Sequence, residues 1–201
     1  MAVFFVHRLR RIVFEVMILK RCRALLLLLL LTILGLLLAF SNQRSAVTAA
    51  ASQRPPCIAL TFDDGPSPQT TAALLDGLRE RGAHATFFLI GEQIAGNEAL
   101  VARMKAEGHQ VGNHSFTHVR LDAADTAALS EIKQTDDALR SLLGSGEYWI
   151  RPPWGFSSNA LEQSVSVPLI FWAVDTMDWS VRNCSLVAHC IVQNAHDGDI
   201  V

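Results

Sequence analysis

From residue 57 onward, short apolar runs alternate with stretches whose apolar residues recur at helical spacing. The runs 57–60, 85–90, 109–113, 148–150 and 169–174 read as strands, and Ile200 and Val201 open another. Between them, Ser67 reads as the N-cap and Pro68 as the first residue of a helix that carries Ala73, Leu74, Leu75 and Leu78 inward and ends near Gly82. A second helix spans 97–107, with Leu100, Val101 and Met104 inward and Gly108 as its stop. A third spans 125–143 and ends at Gly144, and a last one spans 185–194. Repeated strand–helix units predict parallel strands covered by helices, hence an α/β fold. In such folds the chemistry collects at the C-terminal ends of the strands.

The first part of the chain follows a different pattern. Residues 1–23 carry Arg8, Arg10, Arg11, Lys20, Arg21 and Arg23 against one acid, Glu15. The next 17 residues, 24–40, are uncharged and mostly leucine. That is the short end of a membrane span, which takes about 20 residues. A buried core helix would show a polar face, and this run offers only Thr32. A single-pass anchor is therefore expected, with the basic flank in the cytoplasm and the rest of the chain outside. Ala49–Ala51 resembles a small-residue cleavage site, which leaves secretion after cleavage near Ala51 as the alternative. Residues 41–55 read as a flexible stalk. The expected organisation is a basic flank (1–23), a signal anchor (24–40), a stalk (41–55) and one catalytic domain (56–201).

Composition narrows the function by exclusion. A net charge of −2 gives no basic face for nucleic acid. The four cysteines, Cys22, Cys57, Cys184 and Cys190, fit neither a zinc-knuckle spacing nor a dense disulfide framework, so free thiols are expected.

Polar segments with chemistry in them follow four of the strands. Thr61-Phe62-Asp63-Asp64-Gly65-Pro66 puts two carboxylates side by side where a strand ends. Adjacent carboxylates repel unless a cation or a shared proton relieves them. Taken alone, the string also suits an ordinary surface turn. His114 and His118 lie four apart, which in a helical turn places both imidazoles on one face, as a divalent metal wants. A pair of surface histidines is the plainer reading of that spacing alone. One carboxylate added to the two histidines makes three protein ligands with an open position, the pattern of a catalytic metal site.

Together with Arg151-Pro152-Pro153-Trp154-Gly155 and Asp175-Thr176-Met177-Asp178-Trp179, these segments occur in the order of the first four of five motifs of the polysaccharide deacetylase family, also called carbohydrate esterase family 4. The resemblance covers about residues 56–201. It implies a distorted (β/α) barrel, preceded here by the N-terminal membrane helix. It further implies one divalent metal, most often Zn²⁺, on Asp64, His114 and His118. Asp63 would be the general base on a water, held and kept ionised by Arg151. The backbone N–H of Trp154 would steady the oxyanion, and Trp179 would wall the acetyl pocket. Asp175 would tune a histidine acting as general acid.

That histidine belongs to a fifth motif, Leu-x-His, for which Gly198–Val201 looks like the run-in. The domain is thus expected to be C-terminally incomplete, with an open sheet edge, and Asp175 without a partner. His196 precedes that strand and is not a substitute. His7, His84, His109 and His189 take structural or solvated roles.

The expected function is a metal-dependent hydrolase that removes N-acetyl groups from amino-sugar polymers of the cell envelope, such as peptidoglycan or chitin-like glycans. Its partners are an acetylated glycan and, through the anchor, the membrane. The alternatives are a catalytically impaired glycan-binding remnant, an O-acetyl esterase on xylan-like glycans, and, more remotely, a hydrolase of small cyclic amides.

Overall fold

The computed structural model describes residues 32–37, 55–123 and 125–201. The chain divides into two compact units, residues 1–55 and 56–201. In the first, residues 32–37 are helical and exposed. The rest of the expected anchor, the basic flank and residues 41–54 of the stalk lie outside the described residues. Among the described residues no helix is long and apolar enough to cross a membrane.

The second unit is α/β. Three parallel strands, β1 (Thr61–Gly65), β2 (Thr86–Leu89) and β3 (Gln110–Asn113), lie side by side in that order. Helices α1 (Thr71–Glu80) and α2 (Glu98–Ala106) connect them, and α3 (Thr126–Leu143) follows β3. Beyond β3 the sheet continues as single parallel bridges, Asn113 to Ile150 and Ile150 to Leu169. Ala173 and Val174 then donate to the Ile200 carbonyl, and Ala59 bridges to Ile200. The ring closes as the Thr61 N–H donates to Val201 and the Val201 N–H donates to Ala59, at 2.8 and 2.9 Å. The expected open edge is therefore absent here. Residues 199–201 already make enough backbone bonds to seat a strand against residues 57–61, and a run this short carries no periodicity to announce it.

Strand alternation sorts the side chains of β2. Phe87 and Leu89 point outward, into a core with Leu75 of α1, Val101 and Met104 of α2, and Leu139 of α3. Leu75, Leu89, Val101, Met104 and Leu139 are fully buried, each stabilising the fold by about 1.5–3 kcal/mol. Phe88 points the other way, where the Arg151 guanidinium lies 4.3 Å from its ring centre. A smaller cluster of Leu121, Ala128, Ile150 and Leu161 supports the far side. Leu161 comes from α4 (Asn159–Ser164), a helix the periodicity does not reveal because it makes fewer than two turns.

Two element boundaries differ from expectation. Helix α1 begins at Thr71, not at Pro68. Thr70 rather than Ser67 is its N-cap; the Ser67 carbonyl takes the Thr71 N–H at 3.0 Å and the Ser67 N–H goes to the Thr71 hydroxyl, so residues 68–70 form a preparatory turn. After 169–174 the chain runs through a single short turn, α5 (Asp178–Val181), into α6 (Cys184–Asn194). Cys184 and Cys190 are free thiols, and Cys22 lies outside the described residues.

Candidate active site

The two aspartates reach the same place because β1 is irregular at its end. Thr61 and Phe62 pair with Thr86 and Phe87, but Gly65 pairs with Leu89, so β1 spends one more residue than β2 over that interval. Asp64 takes up the slack at φ 64°, a conformation costly for a residue with a Cβ. In an unbroken strand the two carboxylates would point to opposite faces. Here Asp63 Oδ2 and Asp64 Oδ1 lie 3.9 and 3.4 Å from the same atom, His114 Nε2.

His114 follows β3 directly, and its backbone N–H donates to Leu89. Its Nδ1 lies 2.6 Å from the Arg151 carbonyl oxygen. A carbonyl can only accept, so Nδ1 carries the proton and Nε2 keeps a lone pair turned toward the aspartates. His118 Nε2 is 3.2 Å from Asp64 Oδ1, and the two imidazole centres are 5.1 Å apart. The expectation that a helical turn brings the histidines together is wrong. Residues 114–118 form a loop in which Ser115 and His118 have φ of 62° and 60°. The spacing of four works through strained backbone rather than through a helix.

Asp64, His114 and His118 thus offer three ligand atoms within 4.8 Å of one another. Ligand atoms about 2.1 Å from a tetrahedral zinc stand about 3.4 Å apart. The Asp64–His114 and Asp64–His118 separations of 3.4 and 3.2 Å match that edge. The charge states suit a cation as well. The closeness of His114 holds the Asp64 carboxyl below its ordinary range, and burial holds His118 below its own. A carboxyl held low and a His118 disposed to stay uncharged suit a divalent cation.

Asp63 is held apart from that set. Its Oδ1 accepts from Arg151 Nη1 at 2.8 Å. Burial lifts its carboxyl above the ordinary value, against the downward pull of His114 and then Arg151. A raised carboxyl takes a proton more readily than a free one. Arg151 is 2 % exposed, and the same Nη1 also donates to Thr61 Oγ1 at 2.6 Å.

The remaining predicted residues stand further out. Trp154 lies in a tight turn (Pro153–Gly155) at φ 54°, 57 % exposed, with its ring 4.3 Å from that of His118. Trp179 is 69 % exposed, which excludes core packing. Asp175 Oδ1 accepts the Met177 N–H at 2.9 Å, a local turn bond rather than the contact with a histidine that its expected role requires. His196 sits before the last strand, paired with Asp199 and away from the cluster.

Two supporting residues escape a sequence reading. Thr61 links Arg151 to the last strand, its hydroxyl donating to the Val201 carbonyl at 2.7 Å. Asn113, fully buried, donates to the Ile132 carbonyl and accepts from the Ser115 N–H. Neither carries a local sequence signal that marks it as a support for the site.

Comparison with known proteins gives the family. The family model for polysaccharide deacetylase matches residues 50–167. The chain belongs to the polysaccharide deacetylase family. A chitooligosaccharide deacetylase of Rhizobium leguminosarum bv. trifolii is 37 % identical over 148 residues, 72 % of this chain and 69 % of that protein. The peptidoglycan-N-acetylglucosamine deacetylase PgdA of Listeria monocytogenes is 40 % identical over 145 residues. The match takes in 72 % of this chain but only 31 % of the length of PgdA. Among solved structures, the peptidoglycan deacetylase PdaC of Bacillus subtilis superposes with a TM-score of 0.69 at 36 % identity, over 72 % of each chain. The α/β barrel is thus the polysaccharide deacetylase fold.

Proposed function

We propose that residues 56–201 carry a metal-dependent site that removes N-acetyl groups from amino-sugar polymers of the cell envelope. The observation that carries this reading is the division of labour within one cluster. Asp64, His114 and His118 converge at metal-ligand distances, while the neighbouring Asp63 is turned onto Arg151. The similarity to peptidoglycan and chitooligosaccharide deacetylases supports the substrate class.

Asp64, His114 and His118 would hold one divalent ion, zinc by the ligand type. Such an ion, when bound, polarises a carbonyl and acidifies a water. The chain's own groups would serve the attack, and the proton that the departing amine needs would be passed on from Asp63. Asp63 takes a proton from the attacking water, and its raised carboxyl suits it to that task. Arg151 keeps the Asp63 carboxylate pointed at the His114 side through Nη1. The Arg151 carbonyl keeps the His114 ring in the tautomer that presents Nε2. Trp154 offers a wall beside His118 and a backbone N–H for the developing oxyanion. Asp175 and Trp179 lie at the end of the following segment, where a glycan would pass over exposed aromatic surface.

Acetate release from N-acetylchitooligosaccharides and from peptidoglycan tests this reading, with zinc added and then stripped by chelator. Zinc-dependent release that is lost in Asp63→Asn supports it. Zinc uptake without release from either glycan replaces it with the glycan-binding reading. Anchoring through residues 24–40 is proposed on the sequence pattern alone. It predicts that deleting residues 1–40 moves the protein from the membrane fraction to the soluble one.

A further inference from the structure

Glu131 lies on the outward course of α3 and belongs to none of the four motifs. Its carboxylate nevertheless closes on the loop between the two histidines. Oε2 accepts the N–H of Phe116 at 2.9 Å and of Thr117 at 2.7 Å, and Oε1 accepts the Thr117 hydroxyl at 3.0 Å. One side chain thus occupies three consecutive donors in the only five residues that separate the start of His114 from the end of His118.

The loop needs such a clamp. Ser115 and His118 both sit at positive φ without being glycine, a state that persists only when the surroundings over-determine it. Two further restraints act on the same loop. The Asn113 side chain takes the Ser115 N–H, and the backbone N–H groups of Gly91 and Glu92 donate to the Ser115 and Phe116 carbonyls at 3.0 Å. Gly91 allows this approach, since a Cβ there would lie 2.5 Å from the Phe116 ring and 2.4 Å from the Thr135 hydroxyl. Asn113 in turn donates to the carbonyl of Ile132, the neighbour of Glu131 on α3. None of these restraints reaches past Phe116. Among the described residues, Glu131 supplies the hydrogen bonds that hold Thr117, the residue before His118.

From this geometry we infer that Glu131 is a positioning residue for the metal site, fixing His118 relative to His114 so that their Nε2 atoms meet Asp64. The inference rests on the metal reading given above. It makes α3 a functional helix, with the carboxylate holding the loop while the ligands hold the ion.

Three variants of the full chain test it. Glu131→Ala removes the clamp. Glu131→Asp draws it back by one methylene. Glu131→Gln keeps an oxygen for the two N–H groups and an amide for the Thr117 hydroxyl, removing only the charge. Zinc is titrated calorimetrically into each metal-free protein, and thermal unfolding of the same samples gives the metal-free stability. Glu131→Ala and Glu131→Asp are expected to bind zinc about 10–100-fold more weakly, and Glu131→Gln to recover most of that loss. Unchanged zinc affinity in Ala and Asp overturns the inference, whatever happens to the unfolding midpoint. Equal weakening in Gln and Ala overturns it too, because charge rather than the clamp would then be the cause. Should Glu131→Ala fail to fold, Asp against Gln decides on the same criteria. A wild-type chain that takes up no divalent ion overturns the metal reading and this inference together.

Discussion

Asp63 and Asp64 are adjacent, chemically identical and differently employed. The difference comes from what each touches. Asp64 Oδ1 faces two imidazole nitrogens, whereas Asp63 Oδ1 faces a buried guanidinium. Substituting the two kinds of residue should therefore separate binding from turnover. His118→Ala removes one of three ligands and is expected to abolish zinc uptake in calorimetry. Asp63→Asn keeps the ligand set and is expected to bind zinc normally while losing a general base worth about 10²–10⁴-fold in rate. Parallel loss of zinc binding in both variants contradicts this assignment. Which residues to compare was legible beforehand through the motif order that resembles the polysaccharide deacetylase family, and the division of roles between them is what these variants test. Thr61 and Glu131 were not readable, since each acts through partners 140 and 15 residues away that no local pattern connects to it.

Strands and helices were legible where their periodicity was long. The spans of α2 and α3 follow their caps, Asn97 and Asp125, and the glycines that end them. Legibility failed where backbone strain replaces regular structure, as in the histidine loop and at the bulge of β1. Packing between elements adds a constraint of its own at β3. A Cβ on Gly112 would lie 2.6 Å from the Phe88 ring and 2.8 Å from the Trp149 carbonyl oxygen. The ring can shift by rotation, but the carbonyl belongs to the neighbouring strand and cannot. Gly112→Ala is expected to destabilise the domain by about 1–3 kcal/mol, read as a lower urea midpoint at unchanged slope. A midpoint equal to that of the wild type would mean that the strands can part to admit a methyl group.

At the scale of the whole domain, stability should depend on pH through a residue outside the aspartate–histidine cluster. His109 precedes β3, and its Nδ1 accepts the Ala85 N–H at 3.2 Å. Protonation would turn that acceptor into a donor facing a donor. Burial, then the neighbouring His84, hold its folded pKa below the ordinary 6.5, while Glu107 pulls weakly the other way with Oε2 3.9 Å from Nε2. The unfolded chain therefore binds this proton first. Its contribution is present above pH about 6.5 and is lost as pH falls toward the folded value. Denaturant unfolding of the metal-free protein between pH 7.5 and pH 5 should show stability falling, with a shallower fall in His109→Gln. An identical fall in both would assign the effect to other groups.

The link from Thr61 to Val201 has a bearing on biosynthesis. Arg151 steadies Asp63 while sharing a nitrogen with a hydroxyl whose own proton goes to the carbonyl of Val201. A nascent chain on the ribosome has made both aspartates and the arginine long before residue 201 emerges. Until it does, the threonine lacks its acceptor and the ring of strands lacks a member. Loop closure over so many residues is slow relative to local folding. Asp63 thus receives its full set of restraints only once residues 199–201 have docked against residues 57–61, so an aspartate near the start of the domain is steadied by a segment made about 140 residues later.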